Sequence, residues 1–139
     1  LKRMHSLKIP PLLKLQPGVV LADAVELEVL LTNLLKNASE AAACADIPYV
    51  ELYMDTLPNG AVKLTITNSC QPLTPAEQEA LSSPLHSSKE NGLGLGLAVV
   101  RSIAERNETD LLLSEDVPGI FRAVLTFQPT DPRQEGAAP

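Results

Sequence analysis

Apolar residues recur along this chain with two periods, and the changes of period mark the elements. Leu12, Leu13 and Leu15, in a proline-broken stretch, predict a short edge strand, and residues 19–22 form a second short apolar run. From Leu27 the spacing turns helical. Leu27, Leu30, Leu31, Leu34, Ala38, Ala41 and Ala42 share one face of a long helix that should lie on a sheet. Asp23 is suited to cap that helix, with Glu26 three residues on to complete a capping box. The period then drops to two. Val50, Leu52 and Met54 alternate with Tyr49, Glu51, Tyr53 and Asp55; after the turn Pro58-Asn59-Gly60, Val62, Leu64 and Ile66 alternate with Lys63, Thr65 and Thr67. That is an antiparallel hairpin. Residues 68–72 end its second strand, and Thr74 followed by Pro75 opens a short helix reaching Leu81. Val99, Val100, Ile103 and Ala104 stand opposite Arg101, Glu105 and Arg106 in a helix from about residue 95 to 107. Residues 110–114 and 120–127, joined by Val117-Pro118-Gly119, make a second hairpin. Two short strands, helix, hairpin, loop, helix and hairpin predict an α+β fold: a two-layer sandwich with a mixed, mostly antiparallel sheet and helices on one face.

Composition narrows this picture. The chain has 139 residues, enough for one domain with a real core, and it is 45% apolar with no Trp, so that core must be mostly Leu, Val, Ile and Ala. The expected division is a domain over 9–128, a remnant of an upstream helix or linker over 1–8, and a disordered tail over 129–139, where Pro, Gly, Ala and charge dominate. A net charge of −6 argues against a nucleic-acid surface, though not against a nucleotide held by backbone amides. Cys44 and Cys70 lack metal spacing and read as ordinary small side chains in a reducing setting. No apolar run approaches the roughly 20 residues that span a bilayer, nothing reads as a signal peptide, and a start at Leu1 suggests a fragment of a longer protein.

Two stretches carry candidate chemistry. Asn91-Gly92-Leu93-Gly94-Leu95-Gly96-Leu97 runs three alternate glycines straight into a helical pattern. Glycine lets a backbone approach a ligand closely, and a helix start offers free N–H groups and the positive end of the dipole, which suits phosphate. The spacing is neither the dinucleotide fingerprint, which needs G-x-G-x-x-G after a strand, nor a Walker loop, which needs Gly-Lys-Ser/Thr. The other stretch is on the first long helix, where Asn33, Asn37 and Glu40 share a polar stripe beside the apolar face. Asparagine is a poor helix former, so two aligned in mid-helix call for a reason.

Together these motifs resemble a known family. Leu31-Thr32-Asn33-Leu34-Leu35-Lys36-Asn37-Ala38-Ser39-Glu40-Ala41 looks like the N box of sensor histidine kinases, within the GHKL superfamily that also holds gyrase-type, mismatch-repair and chaperone ATPases. Gly92-Leu93-Gly94-Leu95-Gly96-Leu97 is similar to their second glycine box, and Pro84-Leu85-His86-Ser87-Ser88-Lys89 to the lid before it. The resemblance covers residues 9–128 in order and implies the following roles. Asn37 would ligate Mg²⁺ through its side-chain oxygen, with Asn33 and Glu40 nearby. Amides of Gly92, Leu93, Gly94, Leu95 and Gly96 would hold the triphosphate of ATP, Lys89 would reach its terminal phosphates, and Ser88 would be a further nucleotide-binding residue. Asn33, Asn37 and Lys89 would then be the catalytic set. The implied activity is transfer of the γ-phosphoryl of Mg-ATP to a histidine on a separate dimerisation domain, with a response regulator downstream. The implied setting is a cytoplasmic domain of a membrane-anchored sensor, with no insertion of this part into the membrane.

Two departures from the family pattern stand out. Where the family has Asp-x-Gly-x-Gly, whose Asp accepts from the adenine amine, this chain has Asn68-Ser69-Cys70-Gln71-Pro72. Asn68 keeps a carbonyl acceptor but loses the charge, and both glycines are gone. The lid has Ser82 and Leu85 where the family has phenylalanines. His5-Ser6-Leu7-Lys8-Ile9-Pro10 mimics the phosphoacceptor pattern, but too few residues separate it from Asn33 for a two-helix hairpin, so His5 reads as an ordinary histidine, and His86 as a plain loop residue. Two other readings follow from the same residues. The family's hydrolases place a Glu four residues before the Mg-ligating Asn as base for water, and here that position is Asn33, an amide that takes no proton at neutral pH. The altered first glycine box instead suggests a degenerate module that binds nucleotide weakly or not at all.

Overall fold

A computed structural model of the chain describes residues 9–15, 20, 22–82 and 94–129. Its elements are β1 (Leu12–Lys14), α1 (Ala24–Ala43), β2 (Val50–Thr56), β3 (Val62–Ser69), α2 (Pro75–Ser82), α3 (Gly94–Arg106), β4 (Asp110–Val117) and β5 (Ile120–Phe127). The strands form one sheet in the order β1-β2-β3-β5-β4. β1 runs parallel to β2, with Leu13 opposite Leu52, and the other pairings are antiparallel. The mixed sheet and the two hairpins are therefore as the alternation predicts. Of the expected second short strand, Val19 and Leu21 lie outside the described residues, and Val20 and Ala22 belong to no strand. The expected remnant over 1–8 and all of the expected tail except Pro129 also lie outside them.

Alternation decides which sheet face is covered. Leu52 on β2, Leu64 and Ile66 on β3, and Ala123 and Leu125 on β5 point inward under the helices. The opposite face carries a row across four strands, Tyr53–Thr65–Val124–Leu112, and Leu112 is 65% exposed there. α1 buries Leu30, Leu34, Leu35, Ala38 and Ala42. Leu35 falls outside the apolar stripe read from the sequence. It is buried because α1 packs on α3 as well as on the sheet, which widens the covered arc. Val100, Ile103 and Ala104 are the facing residues of α3, whereas Val99, assigned to the same face from the sequence, is 43% exposed.

The two capping boxes differ. At α2 the exchange is complete: Thr74 Oγ1 accepts from Glu77 N at 3.2 Å, and Glu77 Oε1 accepts from Thr74 N at 2.9 Å. At α1 only half forms. Asp23 Oδ1 accepts from Glu26 N at 2.9 Å, but Asp23 N donates to Asn107 Oδ1 at 3.0 Å rather than to Glu26. The Glu26 carboxylate takes Arg106 Nε at 2.9 Å and Asn107 Nδ2 at 3.0 Å instead. This ties the start of α1 to the end of α3, so the two helices run antiparallel. β4 extends past the predicted 110–114 through a bulge. Ser114 pairs with Arg122 and Val117 with Ile120, so Glu115 and Asp116 together face Phe121.

Candidate functional site

A cavity of about 270 Å³ opens between α1, the start of α3 and one end of the sheet. Its walls are mostly apolar: Leu34, Ala38 and Ala41 from α1, Leu97 from α3, Ile66 from β3, and Phe121 and Ala123 from β5. Cys70 and Leu73, on the chain leaving β3, close one side. Three polar side chains join them: Asn37, Glu40 and Asn68. A concave, mostly apolar space with a few placed polar groups is the usual form of a small-molecule site.

Each polar residue is placed by its element. Asn37 and Glu40 stand three apart on α1, so the helical repeat sets them on one wall. Among the described residues neither side chain has a hydrogen-bond partner, and Glu40 is exposed while Asn37 is half-buried. Asn68 is a residue of β3 paired with Val50 on one side and Phe121 on the other, and it is only 2% exposed. Its Nδ2 donates to Ser69 O at 2.9 Å, and among the described residues nothing donates to its Oδ1, which can accept from a ligand. Asn33 is not on the cavity wall; its Nδ2 donates back to Val29 O at 2.9 Å. So of the residues singled out on α1 and β3, Asn37, Glu40 and Asn68 come together, and Asn33 does not join them.

The glycine box is described in part. Gly94, Leu95 and Gly96 form the first turn of α3, whose leading N–H groups have no intrahelical acceptors. Leu97, the next residue, lines the cavity, so this helix start and its positive dipole end sit at the cavity. Ser88, Lys89, Gly92 and Leu93 lie outside the described residues, as do His5, His86 and Leu85. Arg101 on α3 donates to Leu81 O, near the end of α2, at 2.8 Å. A cation there suits the negative end of the α2 dipole and links α2 to α3.

Sequence reasoning missed much of the wall. The period-two pattern put Ile66 on the inner face, but nothing in it said which end of the sheet stays open. Cys70 read as an ordinary small residue, yet it lines the cavity. Burial pushes its thiol pKa up, and the nearby Glu115 and Glu77 carboxylates add to that, so the thiol stays protonated. Cys44 is exposed, and neither cysteine is in a disulfide. Among the described residues no cluster of His, Cys, Asp and Glu could by itself hold a metal ion.

Residues 22–131 match a family described as Histidine kinase-, DNA gyrase B-, and HSP90-like ATPase. The chain is similar to the C4-dicarboxylate transport sensor protein DctB of Rhizobium meliloti (strain 1021), at 34% identity over 83 residues, 60% of this chain and 13% of that protein. It is also similar to the sensor histidine kinase ZraS of Klebsiella oxytoca, at 29% identity over 122 residues, 86% of this chain and 26% of that protein. The chain thus spans about a quarter or less of the length of these relatives. In structure it resembles the catalytic domain of histidine kinase ThkA in a nucleotide-free form, with a TM-score of 0.70 at 21% identity, covering 96% of this chain and 86% of that one. That likeness is one of fold.

Proposed function

The chain belongs to the family of histidine kinase-, DNA gyrase B- and HSP90-like ATPases, and we propose that it is the ATP-binding catalytic domain of a two-component sensor histidine kinase. The observation that carries this reading is the meeting of Asn37, Glu40 and Asn68 on one cavity at the start of α3. In this assignment the purine lies between the apolar walls, with Asn68 Oδ1 accepting from its exocyclic amine. The phosphates lie toward the first turn of α3, whose amides suit anionic oxygens. Phosphoryl transfer asks chiefly for positioning and charge neutralisation, which these parts can supply.

Mg²⁺ fits the same place. The donors on α1 are the Asn37 amide oxygen and the Glu40 carboxylate, both oxygen ligands without partners among the described residues, and Mg²⁺ typically takes only one or two protein ligands beside phosphate and water. Asn37 would ligate it, and when bound it would neutralise phosphate charge. Lys89 is proposed to reach the terminal phosphates, and Ser88 is proposed as a further nucleotide-binding residue.

The phosphoryl acceptor is then a histidine on a dimerisation domain of the parent protein, with a response regulator downstream. A histidine is already neutral and nucleophilic near pH 7 and needs no base. A hydrolase needs one for water, and the residue four before Asn37 is Asn33, whose amide group is bound to Val29 O. Among the described residues no helix is long and apolar enough to cross a membrane. A cytoplasmic position beneath a membrane-anchored sensor is part of this proposal. Calorimetric titration with Mg-ADP and Mg-ATP tests it, followed by incubation with γ-labelled ATP and the parent's histidine-bearing domain. Binding and label on that histidine are expected; absence of nucleotide binding would favour the degenerate module.

A further inference from the structure

We propose that Glu115 is a positioning residue for the nucleobase end of the cavity, holding in place the 70–73 segment that forms its wall. The proposal rests on the nucleotide reading above and goes beyond it. After β3 ends at Ser69, the chain no longer has a ladder to satisfy its backbone, yet Cys70 and Leu73 must stay in position because they line the cavity. Two groups from the β4–β5 hairpin do this. Gly119 O accepts from Cys70 N at 2.9 Å, and Glu115 Oε2 accepts from Leu73 N at 3.0 Å.

The same carboxylate reaches further. Its Oε2 also accepts from Gly119 N at 2.9 Å and lies 3.9 Å from the Cys70 thiol, while its Oε1 accepts from Gln78 Nε2 of α2. One side chain thus joins the segment, the hairpin turn and α2. The bulge explains its aim. An extra residue opposite Phe121 breaks the alternation of β4, and bulges re-aim side chains next to sites. The turn is equally committed: Gly119 has φ of +86°, and a Cβ added there would stand 3.4 Å from Cys70 O. Hydrogen bonds from neutral donors to a carboxylate are stronger than neutral pairs, so a single charged acceptor can hold a segment that has lost the family's glycines.

A wall held in its bound position before the ligand arrives spares the ligand the entropic cost of ordering it. Removing Glu115 leaves the Leu73 and Gly119 amides without their acceptor and frees the wall. The test is calorimetric titration with Mg-ADP at a temperature where every variant is folded, with amide exchange of Leu73 and Gly119 followed in parallel. Glu115→Ala should weaken ADP about tenfold, and faster exchange at both amides should accompany it. Glu115→Gln keeps one oxygen for the two backbone donors, and Gln78 can turn its side-chain amide so that its oxygen accepts from the new nitrogen, so a smaller loss is expected. Glu115→Asp keeps the charge but draws the carboxylate back by one methylene, so it should weaken ADP and speed exchange at Leu73 and Gly119 more than Glu115→Gln does, an order that loss of the charge alone would not give. If Glu115→Ala does not fold, the order of Glu115→Gln and Glu115→Asp decides. Unchanged ADP affinity in a folded Glu115→Ala, or Glu115→Asp binding ADP as tightly as wild type, overturns the proposal while the nucleotide reading stands. A wild-type protein that binds no ADP overturns both.

Discussion

Two polar clusters lie at opposite ends of the antiparallel α1–α3 pair, and they are built on different terms. At one end Asp23, Glu26, Arg106 and Asn107 satisfy one another: Asn107 alone accepts from Asp23 N at 3.0 Å and donates to Glu26 at 3.0 Å and to Ile103 O at 2.8 Å. At the other end, among the described residues, Asn37 and Glu40 have no partner and Asn68 uses only its nitrogen. Both ends are polar and both join helices that share a core. A cluster that serves the fold closes on itself, whereas one that serves a ligand keeps acceptors open. The contrast predicts that changes at the closed end cost stability and changes at the open end cost binding, with Asn68 straddling the two.

Asn68→Asp should give the largest effect. The sequence suggests that an aspartate there would accept more strongly from adenine. The structure points the other way for stability, because the replaced nitrogen donates to Ser69 O at 2.9 Å inside a site only 2% exposed. An ionised carboxylate would face a carbonyl oxygen there and lose a buried hydrogen bond. We expect a loss of about 1–3 kcal/mol in chemical denaturation near neutral pH. The loss should shrink toward pH 4, where a protonated carboxyl group can again donate to Ser69 O. Stability equal to wild type at pH 8 would mean that Asn68 is not tied to Ser69.

Asn37→Ala comes next. It removes an open acceptor and breaks no bond among the described residues, so stability should move by less than about 1 kcal/mol. Nucleotide binding in the presence of Mg²⁺ should weaken about tenfold, roughly 1.4 kcal/mol. Titrations with and without Mg²⁺ read the difference; identical Mg²⁺ dependence in variant and wild type would move Asn37 out of the site.

What the sequence disclosed, and what it did not, follows the same division. Alternation and helical spacing are local, and they located α1, α3 and both hairpins. The stripe of Asn33, Asn37 and Glu40 was visible because helix geometry is regular, although only Asn37 and Glu40 reach the cavity. Pairings between distant residues were not visible. Glu26 looked like the second half of a capping box, but Arg106, eighty residues away, takes its carboxylate. Likewise the predicted strand stopped at Ser114, short of Glu115; the bulge that sets Glu115 against Leu73 depends on its partner strand. The parallel pairing of β1 with β2 is a matter of tertiary contact as well.

Asn107→Ala probes the closed end. It removes three hydrogen bonds and strands Asp23 N, but at a half-buried site near water. We expect a loss of about 1 kcal/mol in stability with ADP affinity unchanged. A fall in affinity at a temperature where the variant is folded would show that the two ends are coupled through α1 and α3, and would break the contrast.

The smallest effect should be a pH dependence carried by Glu26. Hydrogen bonds from Arg106 and Asn107, with the Arg106 charge, hold its carboxyl pKa below the ordinary glutamate value of 4.5. A carboxyl group with a lower pKa folded than unfolded binds more protons when unfolded, so its contribution is fully present above the unfolded pKa. It is lost as pH falls through the folded value. The pair is exposed, with side chains 55% and 30% accessible, so water and salt screen it and the contribution is modest. Denaturation midpoints of wild type and Glu26→Gln should therefore differ most above about pH 5 and converge as pH falls below the ordinary glutamate range. The gap should narrow in high salt, and ADP affinity should be the same in both proteins at neutral pH. A gap that stays constant down to pH 3 would mean that it comes from hydrogen-bond geometry that Gln does not reproduce, and not from the Glu26 charge.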